Sequence, residues 1–279
     1  MRIVSWNILN GGQDGTSTER LECAISVLRD EQPDVVLLQE ANGFALHGQR
    51  LLYHIENSLN MRGFLAVANT GYNLAMYLRR DQAVTSYDVD ATHFFHASLN
   101  VELVLPGSPG LSLVNAHLCP HSSEVRAIEA QHLARYAAMD SYVLIGGDLN
   151  SLDPHQEHST ALDTMPPHYR ARYLVPGEGQ QPDTRVGRIL EVAGLIDIGY
   201  ARSDPTYTIP TYLPVYGNEF GRLRLDYMYA SSAFAELVTD YRVIRNAQTD
   251  KCSDHYPITI EVCVPEGTRH QAKGNISRA

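Results

Sequence analysis

The sequence predicts a layered α/β protein, and three observations lead to this prediction. Short runs typical of β-strands alternate with helical segments along all 279 residues. Several strands are uninterrupted apolar runs, such as Val35-Val36-Leu37-Leu38, and such runs are typical of strands buried on both faces. With 44% hydrophobic and 19% charged residues, the composition is that of a soluble globular protein that can bury a sizeable core.

Seven segments carry the strand pattern most clearly: residues 2–8, 34–39, 74–78, 111–117, 142–145, 225–229 and 258–262. Between the first two, the tetrapeptide at 16–19 fits a capping box, and Leu21, Ile25 and Leu28 then recur at helical spacing until Pro33. The chain is therefore predicted to begin with a strand, a helix and a strand. Further helices are predicted over residues 123–138 and 184–193.

Proline and glycine cluster at 106–110, 165–181 and 205–221, and these segments are predicted to be loops. No repeat of short period and no shift in composition marks a domain boundary. The sequence therefore predicts one domain over residues 1–266, followed by a polar, flexible tail over 267–279.

The four cysteines are scattered without CxxC spacing, which predicts free thiols in a reducing compartment; they are Cys23, Cys119, Cys252 and Cys263. Met1 runs directly into an apolar strand, without the pattern of a secretory signal. No segment approaches the roughly 18 apolar residues of a membrane span. We expect a soluble, cytoplasmic protein without membrane insertion, and the sequence indicates no protein partner.

The net charge of −10 bears on the class of substrate. Proteins that hold long nucleic acids usually present a basic stripe, because binding displaces counterions from the phosphates. Here the arginines are dispersed, with local groupings only at Arg79/Arg80, Arg170/Arg172 and Arg222/Arg224. Tight non-specific binding to duplex DNA is not predicted. A phosphate-bearing substrate stays compatible with the charge, because a carboxylate-rich metal site is itself acidic.

Polar residues that can ligate metal or carry protons stand at the ends of the predicted strands. They are Asn7, Glu40, His117, Asp148 with Asn150, Asp226, and Asp254 with His255. Each alone has an ordinary explanation, such as a solvated strand end, an Asx turn or a core histidine. To explain all of them in this way, six segments would each have to place an acid, an amide or an imidazole at a strand end by chance. The pattern therefore predicts one convergent site at the edge of a packed sheet.

These residues stand in the motifs Ser-Trp-Asn7-Ile, Leu-Leu-Gln39-Glu40, Asn115-Ala-His117-Leu, Gly-Gly-Asp148-Leu-Asn150, Arg224-Leu-Asp226-Tyr and Ser253-Asp254-His255. In this order, over positions 6–255, the chain resembles the endonuclease/exonuclease/phosphatase superfamily, which includes deoxyribonuclease I, abasic-site endonucleases, sphingomyelinases and inositol polyphosphate phosphatases. The resemblance implies a four-layer α/β sandwich, with two mixed β-sheets packed face to face and helices outside. The site would lie at one end of the two sheets.

The resemblance also implies hydrolysis of a phosphate ester with Mg²⁺, for which Mn²⁺ can substitute. Glu40 is the leading metal ligand with Asn7 beside it, because hard Mg²⁺ prefers carboxylate and amide oxygens. Asp254 closes this metal site or lies just outside it. By the same resemblance, Asp148 positions or deprotonates the attacking water, and Asn150 holds the water or a phosphoryl oxygen.

Two histidines complete the implied reaction centre. Asp226 and His255 resemble an Asp–His pair, in which the carboxylate fixes the imidazole tautomer and favours its protonated form. A protonated His255 can then donate to a phosphoryl oxygen, and His117 is implied as a second phosphate ligand. The sequence leaves open whether His255 or Asp148 is the general base.

Arg126 is a further candidate for binding the substrate. It falls in the first turn of the second predicted helix, where the helix dipole disfavours a cation, and on that helix's apolar face. It could clamp a substrate phosphate, or it could pair with an acid such as Glu129 or Glu22. His93 and His96 have no assigned role, since they could line the cleft or simply close a strand.

The sequence thus predicts a magnesium-dependent phosphoesterase that hydrolyses a phosphodiester or phosphomonoester. The acidic balance favours a small-molecule, nucleotide or lipid head-group substrate, and the alternative is a nuclease on short or single-stranded DNA or RNA. A catalytically inactive binding module is the alternative from another class. Loss of Glu40, Asp148 or His255 would indicate it, but all three are present. Specificity is expected to lie in the loops at 153–182 and 205–221.

Overall fold

The computed structural model describes residues 1–105, 107–177, 179–204, 206–213 and 221–264. Within these ranges it forms the strands β1 Arg2–Asn7, β2 Val35–Gln39, β3 Met61–Ala66, β4 Leu74–Arg79, β5 Val84–Asp90, β6 Ala97–Leu103, β7 Leu111–His117, β8 Tyr142–Asp148, β9 Leu195–Asp197, β10 Asp226–Ser231, β11 Val238–Val243 and β12 Ile258–Val262. The helices are α1 Leu9–Gly12, α2 Glu19–Glu31, α3 Arg50–Leu59, α4 Ser123–Ala134, α5 Ser159–Asp163, α6 Pro167–Arg170, α7 Arg185–Val192, α8 Ile198–Ala201, α9 Ser232–Ala235 and α10 Thr249–Cys252. Short 3₁₀ turns occupy His47–Gln49, Arg135–Ala138 and Ala171–Tyr173.

The strands form two mixed sheets of six. Sheet I has the order β11-β12-β1-β2-β4-β3, and sheet II has the order β5-β6-β7-β8-β10-β9. Each sheet contains one parallel pair, β1 with β2 and β7 with β8, and the neighbouring strands run antiparallel to these pairs. A helix supplies each crossover, α2 in the first case and α4 in the second.

The alternation of side chains sorts the core into layers. Along β2, Val35 and Leu37 pack in the core between the two sheets, whereas Val36 and Leu38 pack against α2 and α3. A third apolar cluster joins sheet II to α4 and α7. The order of layers is helices, sheet, sheet, helices, which confirms the predicted four-layer sandwich. It also explains the uninterrupted apolar run at 35–38, which is buried on both faces.

The predicted elements match the structure with several corrections. The strands at 111–117 and 258–262 have the predicted bounds, but β8 continues through Gly146 and Gly147 to Asp148 instead of stopping at 145. The capping box is wrong, because the N-cap residue Thr18 makes no side-chain hydrogen bond to the helix. The helix predicted over 123–138 is α-helical to Ala134 and then tightens into a 3₁₀ turn.

The segment at 165–181 is more ordered than a loop. It contains α6 and a 3₁₀ turn, and it packs through Met165 and Tyr173 on a small separate apolar cluster. Parts of the other predicted loops lie outside the described residues, namely 106, 205 and 214–220, and so does the predicted tail at 267–279. β1 pairs with β12, so the first and last described strands are neighbours in sheet I, and the single domain over 1–266 stays a prediction. None of the described helices has the length and apolarity to span a bilayer.

The prediction of four free thiols is wrong for one pair. Cys23 in α2 and Cys252 in α10 form a disulfide, with Cα atoms 5.7 Å apart. Their separation of 229 residues explains why spacing in the sequence gave no signal. Cys119 and Cys263 are free.

Two glycines at the end of β8 allow close approach of three strands. A Cβ atom on Gly146 would lie 2.6 Å from Cδ1 of Leu37 in sheet I. One on Gly147, which has φ of +150°, would lie 1.9 Å from the carbonyl oxygen of Ala116 in β7. Only glycine fits at Gly147 without moving the backbone. The pair thus brings the next residue, Asp148, close to both β7 and sheet I.

A buried polar bridge joins the sheets beneath the strand ends. Asn115 of β7 donates through Nδ2 to the carbonyl oxygens of Leu38 and Ala75 in sheet I, at 3.0 and 2.9 Å. Its Oδ1 accepts from Nε2 of Gln39 at 2.7 Å. Because hydrogen bonds are directional, this bridge fixes the position of one sheet relative to the other.

Asn115→Ala is expected to lower the free energy of unfolding by about 2–4 kcal/mol, because it leaves two buried carbonyls and the Gln39 amide short of partners. Urea denaturation measures this difference. Asn69→Ala is the matched control, since Asn69 is exposed and its side chain makes one hydrogen bond, to Ala91. Equal unfolding energies for the two variants would mean that the bridge does not hold the sheets.

Candidate active site

The structure brings the predicted residues together where strands of both sheets end. Six of them line one cavity of about 420 Å³: Glu40, His117, Asp148, Asn150, Asp254 and His255. Asn7 and Asp226 lie behind this lining and are hydrogen-bonded to it. A larger cavity of about 830 Å³ lies around Arg2, at the other end of β1, and contains none of the predicted residues.

Strand register explains the convergence. In sheet I, Asn7 ends β1 opposite Gln39, so Glu40 leaves β2 beside it. In sheet II, Asp148 is the register partner of both His117 and Asp226. The carboxyl ends of the two parallel pairs therefore supply acids, an amide and an imidazole to one edge of the sandwich.

The backbone is bent at two of these residues. Glu40 and Asn150 have φ of 55° and 48°, in the left-handed region that residues other than glycine rarely adopt. The carbonyl oxygen of Glu40 accepts hydrogen bonds from Gly11 and Asn42, both at 2.7 Å, and these bonds hold the bend. Backbone strain that the surrounding structure holds in place is typical of functional sites.

The remaining residues of the motifs tie the segments to one another. Ser253 Oγ donates to the carbonyl oxygen of Asn7 at 2.6 Å, and the Trp6 indole donates to that of His255 at 2.8 Å. Arg224 is buried, and its guanidinium pairs with Asp153 and Asp197 instead of standing in solvent. Its role in the motif is thus to anchor the chain just before Asp226.

His255 lies between two carboxylates. Its Nδ1 is 2.8 Å from Oδ2 of Asp226, and its Nε2 is 3.7 Å from Oδ2 of Asp148. Burial alone would lower the pKa of His255, but the charges of Asp226 and Asp148 outweigh it and raise the pKa well above 6.5. The imidazole is therefore protonated near neutral pH, in agreement with the predicted Asp–His pair.

Asp148 lies at the centre of the site. Its Oδ1 accepts from the backbone N–H of Asn150 at 2.9 Å, and its Oδ2 accepts from Nδ2 of Asn7 at 3.0 Å. Burial raises the pKa of Asp148 above its ordinary value; the charge of His255 lowers it again in part, and that of Asp226 adds to the rise. Asp148 thus combines fixed geometry with more basicity than a solvated carboxylate has.

Glu40 marks the part of the cavity that can take a cation. Its Oε1 accepts from Nδ2 of Asn7 at 3.2 Å and its Oε2 from the backbone N–H of Asn10 at 2.9 Å. Burial and the nearby carboxylate of Asp254 raise the pKa of Glu40. A buried carboxylate whose ionisation is disfavoured by a neighbouring carboxylate fits a divalent cation, because the cation's charge would offset that cost.

A second acidic group in the site also has the geometry to hold a cation. Within the described ranges, ligand atoms of Asp148, Asp226 and His255 lie within 4.8 Å of one another. Nδ1 of His255 is already bonded to Asp226 there, and hard Mg²⁺ favours oxygen over imidazole. The oxygen donors of Glu40, Asp254 and Asn7 therefore fit magnesium better.

His117 is buried and neutral. Burial lowers its pKa well below 6.5, and the charge of His255 adds to this effect. Its Nε2 is 3.5 Å from Oδ2 of Asp148, and its ring stacks on that of His96 with centroids 4.4 Å apart. His96 lines the cavity and is held by Thr70 Oγ1, 2.6 Å from its Nδ1. His93 lies elsewhere, paired with Asp90 at 2.9 Å.

Arg126 does not contact the cavity, so the hypothesis of a phosphate clamp is wrong. Its side chain is 1% exposed, and its guanidinium donates to the carbonyl oxygens of Cys119 and Arg172. Its nearest acid is Asp183, at 4.0 Å, instead of Glu129 or Glu22. Arg126 therefore holds together two segments that line the cavity.

The sequence predicted only part of the cavity wall that lies beyond His117. Specificity was expected in the loop at 153–182 and His96 was a candidate for the cleft, but the remaining side chains were assigned no role. The aromatic, imidazole and guanidinium side chains of this wall are Tyr72, Phe95, His96, His121, Tyr169, Arg172 and Tyr173. Most of them follow no strand pattern, and α6 with the 3₁₀ turn after it lies within a segment predicted to be a loop. The clustering of tyrosine and histidine at 155–173 was the available signal.

Comparison with known proteins agrees with this architecture. Truncated TDP2 from Caenorhabditis elegans superposes with a TM-score of 0.65 at 19% identity, covering 93% of this chain and 96% of that one. An AP endonuclease from Archaeoglobus fulgidus gives a TM-score of 0.65 at 18% identity, with 94% and 99% covered. TDP2 of D. rerio complexed with single strand DNA product gives 0.64 at 18% identity, with 93% and 97% covered. At these identities the likeness shows the fold alone.

No curated protein sequence matches the chain significantly. The Endonuclease/Exonuclease/phosphatase family matches it over residues 4–255, which include all the predicted site residues. The match includes strands of both sheets and ends at His255, before β12. The chain therefore belongs to the endonuclease/exonuclease/phosphatase family, whose members are hydrolytic phosphoesterases and nucleases.

Proposed function

We propose that this chain is a magnesium-dependent hydrolase of compact phosphate esters. The observation that carries the proposal is the position of His255, hydrogen-bonded to Asp226 and facing Asp148 in a cavity that also contains Glu40 and Asp254. An imidazolium supplies a proton donor, and a buried carboxylate beside it supplies a base. The carboxylates on the sheet I side supply ligands for a cation.

His255 is the proton donor in this proposal. Its Nδ1–H is held by Asp226, which leaves Nε2–H to donate to a phosphoryl oxygen as charge develops there. A histidine that already carries both protons cannot accept another. Its raised pKa therefore favours Asp148 over His255 as the general base.

Asp148 orients and deprotonates the attacking water. Its oxygens are fixed by Asn150 N–H and Asn7 Nδ2, so the water that it binds has a defined direction towards the phosphate. Asn150 lines the cavity and can hold the same water or a phosphoryl oxygen. Neutral His117 donates a further hydrogen bond to the phosphate without adding charge.

Glu40 and Asp254, with the amide of Asn7, would hold the magnesium ion. A bound divalent cation neutralises phosphoryl charge and stabilises the leaving oxygen. In this structure the Asn7 amide is held by Asp148 through Nδ2 and by the N–H of Leu9 through Oδ1. Asn7 thus links the proposed metal ligands to the proposed base.

Charge pairing supports a compact substrate. Several arginines are paired with acids and do not form a basic stripe: Arg79 with Asp34 and Asp81, Arg170 with Asp163, and Arg185 with Asp183. With a net charge of −10, an extended polyanion would gain little from such a surface. A nuclease acting on short single strands is the second candidate, because one similar structure is a TDP2 with a single strand DNA product.

The experiment is a hydrolysis panel with Mg²⁺ that contains single-stranded DNA, RNA, abasic duplex, nucleotides, phospholipids and aryl phosphates. We expect the highest kcat/KM on a small ester, and less than about a threefold change in that value between about 50 and 200 mM salt, because a small ester has no condensed counterions to release when it binds.

The same panel distinguishes the alternatives. A strong preference for an oligonucleotide, with kcat/KM falling steeply as salt rises, would replace the compact-substrate proposal with the nuclease. Absence of hydrolysis, together with binding of one panel member, would favour the inactive binding module.

A further inference from the structure

The cavity continues beyond the proposed catalytic residues into a wall of different chemistry. We call it the ring wall and define it as Tyr72, Phe95, His96, His121, Tyr169 and Arg172. None of these side chains has a part in the proposed hydrolysis. Hydrolysis at the polar reaction centre does not require aromatic side chains. Aromatic side chains that line a cavity are typical of a site that binds an apolar part of a ligand.

The rings of the wall make a continuous series of contacts that starts at His117. His96 stacks on His117, and Tyr72 and Phe95 contact His96 with centroids 5.1 and 4.9 Å apart. Phe95 then meets the edge of His121 at 5.9 Å. Tyr72 and Phe95 are 37% and 39% exposed, which leaves ring surface open to a ligand.

The imidazoles of the wall are neutral, so they do not form an anion site. Burial lowers the pKa of His96 to about 4, and protonation of His121 would lower it further. Burial also lowers the pKa of His121, together with the charges of Arg172 and Arg126. A neutral imidazole presents a flat face much as an aromatic ring does. Arg172, with its guanidinium carbon 4.7 Å from the Tyr169 centroid, adds a planar cation that is attracted to aromatic faces.

Two buried ionisable side chains on α4 fix the ring wall in place. Glu129 accepts from the backbone N–H of Phe95 at 2.7 Å and of Cys119 at 2.8 Å. Arg126, one turn earlier, donates to the carbonyl oxygens of Cys119 and Arg172. Burying ionisable side chains is costly, and here both side chains hold loops of the wall through hydrogen bonds to the backbone. The wall is therefore preorganised, which reduces the entropy lost on ligand binding.

We propose that the ring wall is a binding subsite for a planar aromatic ring carried by the substrate. The ring would be part of the ester whose phosphate contacts His117 and Asn150, so the proposal rests on the proposed function. A nucleobase and an aryl group share the required chemistry, namely a flat apolar face that stacks on Tyr72 and Phe95.

Non-hydrolysable phosphonates test the subsite without turnover. Phenylalkylphosphonates with one, two or three methylenes are compared by calorimetry, in Mg²⁺, with n-alkylphosphonates of equal carbon number. We expect the best phenyl compound to bind at least about tenfold more tightly than its alkyl match, because stacking adds to the shared phosphonate contact. A thymidine phosphonate in the same series distinguishes a nucleobase from a simple aryl group.

Substitutions at Phe95 and Tyr72 show which side chains produce the preference for the phenyl compound. Phe95→Leu and Tyr72→Leu should each remove most of the preference for the phenyl compound, and Phe95→Trp, which keeps a ring, should retain it. Equal affinities for phenyl and alkyl compounds in the wild type would overturn the subsite, and so would a preference that survives both leucine substitutions. Failure of the proposed function would give a different result from failure of the subsite. In that case no ester would be hydrolysed in Mg²⁺, whatever the phosphonate affinities.

Discussion

Asp148→Asn is expected to lower kcat at least about a hundredfold on the best substrate of the panel, the usual loss when an acid–base or electrostatic group is removed. An amide cannot take a proton from water, although it can still accept from the N–H of Asn150. We expect the folded state to be at least as stable, because burial and Asp226 already raise the pKa of Asp148, and the substitution removes that unfavourable charge. Steady-state kinetics and urea denaturation measure the two effects.

His255→Ala and Asp163→Asn provide the comparison. His255→Ala should lose as much kcat, but it should also lower the free energy of unfolding by about 3–5 kcal/mol, because it leaves the buried Asp226 carboxylate without its partner. Asp163 is exposed and outside the cavity lining, so the same carboxylate-to-amide change there should leave kcat unaltered. Near-normal turnover by Asp148→Asn would remove Asp148 from the mechanism.

Removal of divalent metal is expected to abolish hydrolysis. EDTA should bring the rate to background and Mg²⁺ or Mn²⁺ should restore it, because the carboxylates of Glu40 and Asp254 need a cation before an anionic phosphate can approach. Glu40→Gln should raise the Mg²⁺ concentration for half-maximal activity at least about tenfold, as loss of a ligand carboxylate weakens a hard-metal site. Full activity in metal-free buffer would contradict this mechanism.

Binding of Mn²⁺, followed by electron paramagnetic resonance without substrate, distinguishes the two acidic groups. If the metal lies at Glu40 and Asp254, Glu40→Gln weakens Mn²⁺ binding and Asp226→Asn leaves it nearly unchanged. The opposite result would move the metal to the group formed by Asp148, Asp226 and His255.

The position of the site could be predicted because its signals are local. Each candidate follows or precedes an apolar strand, and the carboxyl ends of parallel strands lie at one edge of a sheet. The pairing of His117 with Asp148 and of Asn7 with Gln39 follows directly from this rule. The continuous apolar run of β2 likewise predicted burial on both faces. The chemical roles of these residues remain proposals.

What the sequence did not reveal depends on contacts between distant segments. Arg126 bonds to backbone carbonyls, which are the same in every residue, so its partners left no mark in the sequence. β5 is an edge strand whose side chains are mostly exposed, and it lacks the apolar alternation that predicts strands. The disulfide from Cys23 to Cys252 and the ring wall were not predicted for the same reason, because both form between segments that are distant in the sequence.

The bridge from Asn115 to sheet I has a consequence for adaptation to temperature. The proposed metal ligand Glu40 is attached to sheet I and the proposed base Asp148 to sheet II, so their separation depends on how firmly the sheets are joined. Evolution can therefore adjust the working temperature of such an enzyme through residues such as Gln39 and Asn115, which do not line the cavity. Relatives from cold and hot habitats would be expected to differ between the sheets while their cavities stay alike.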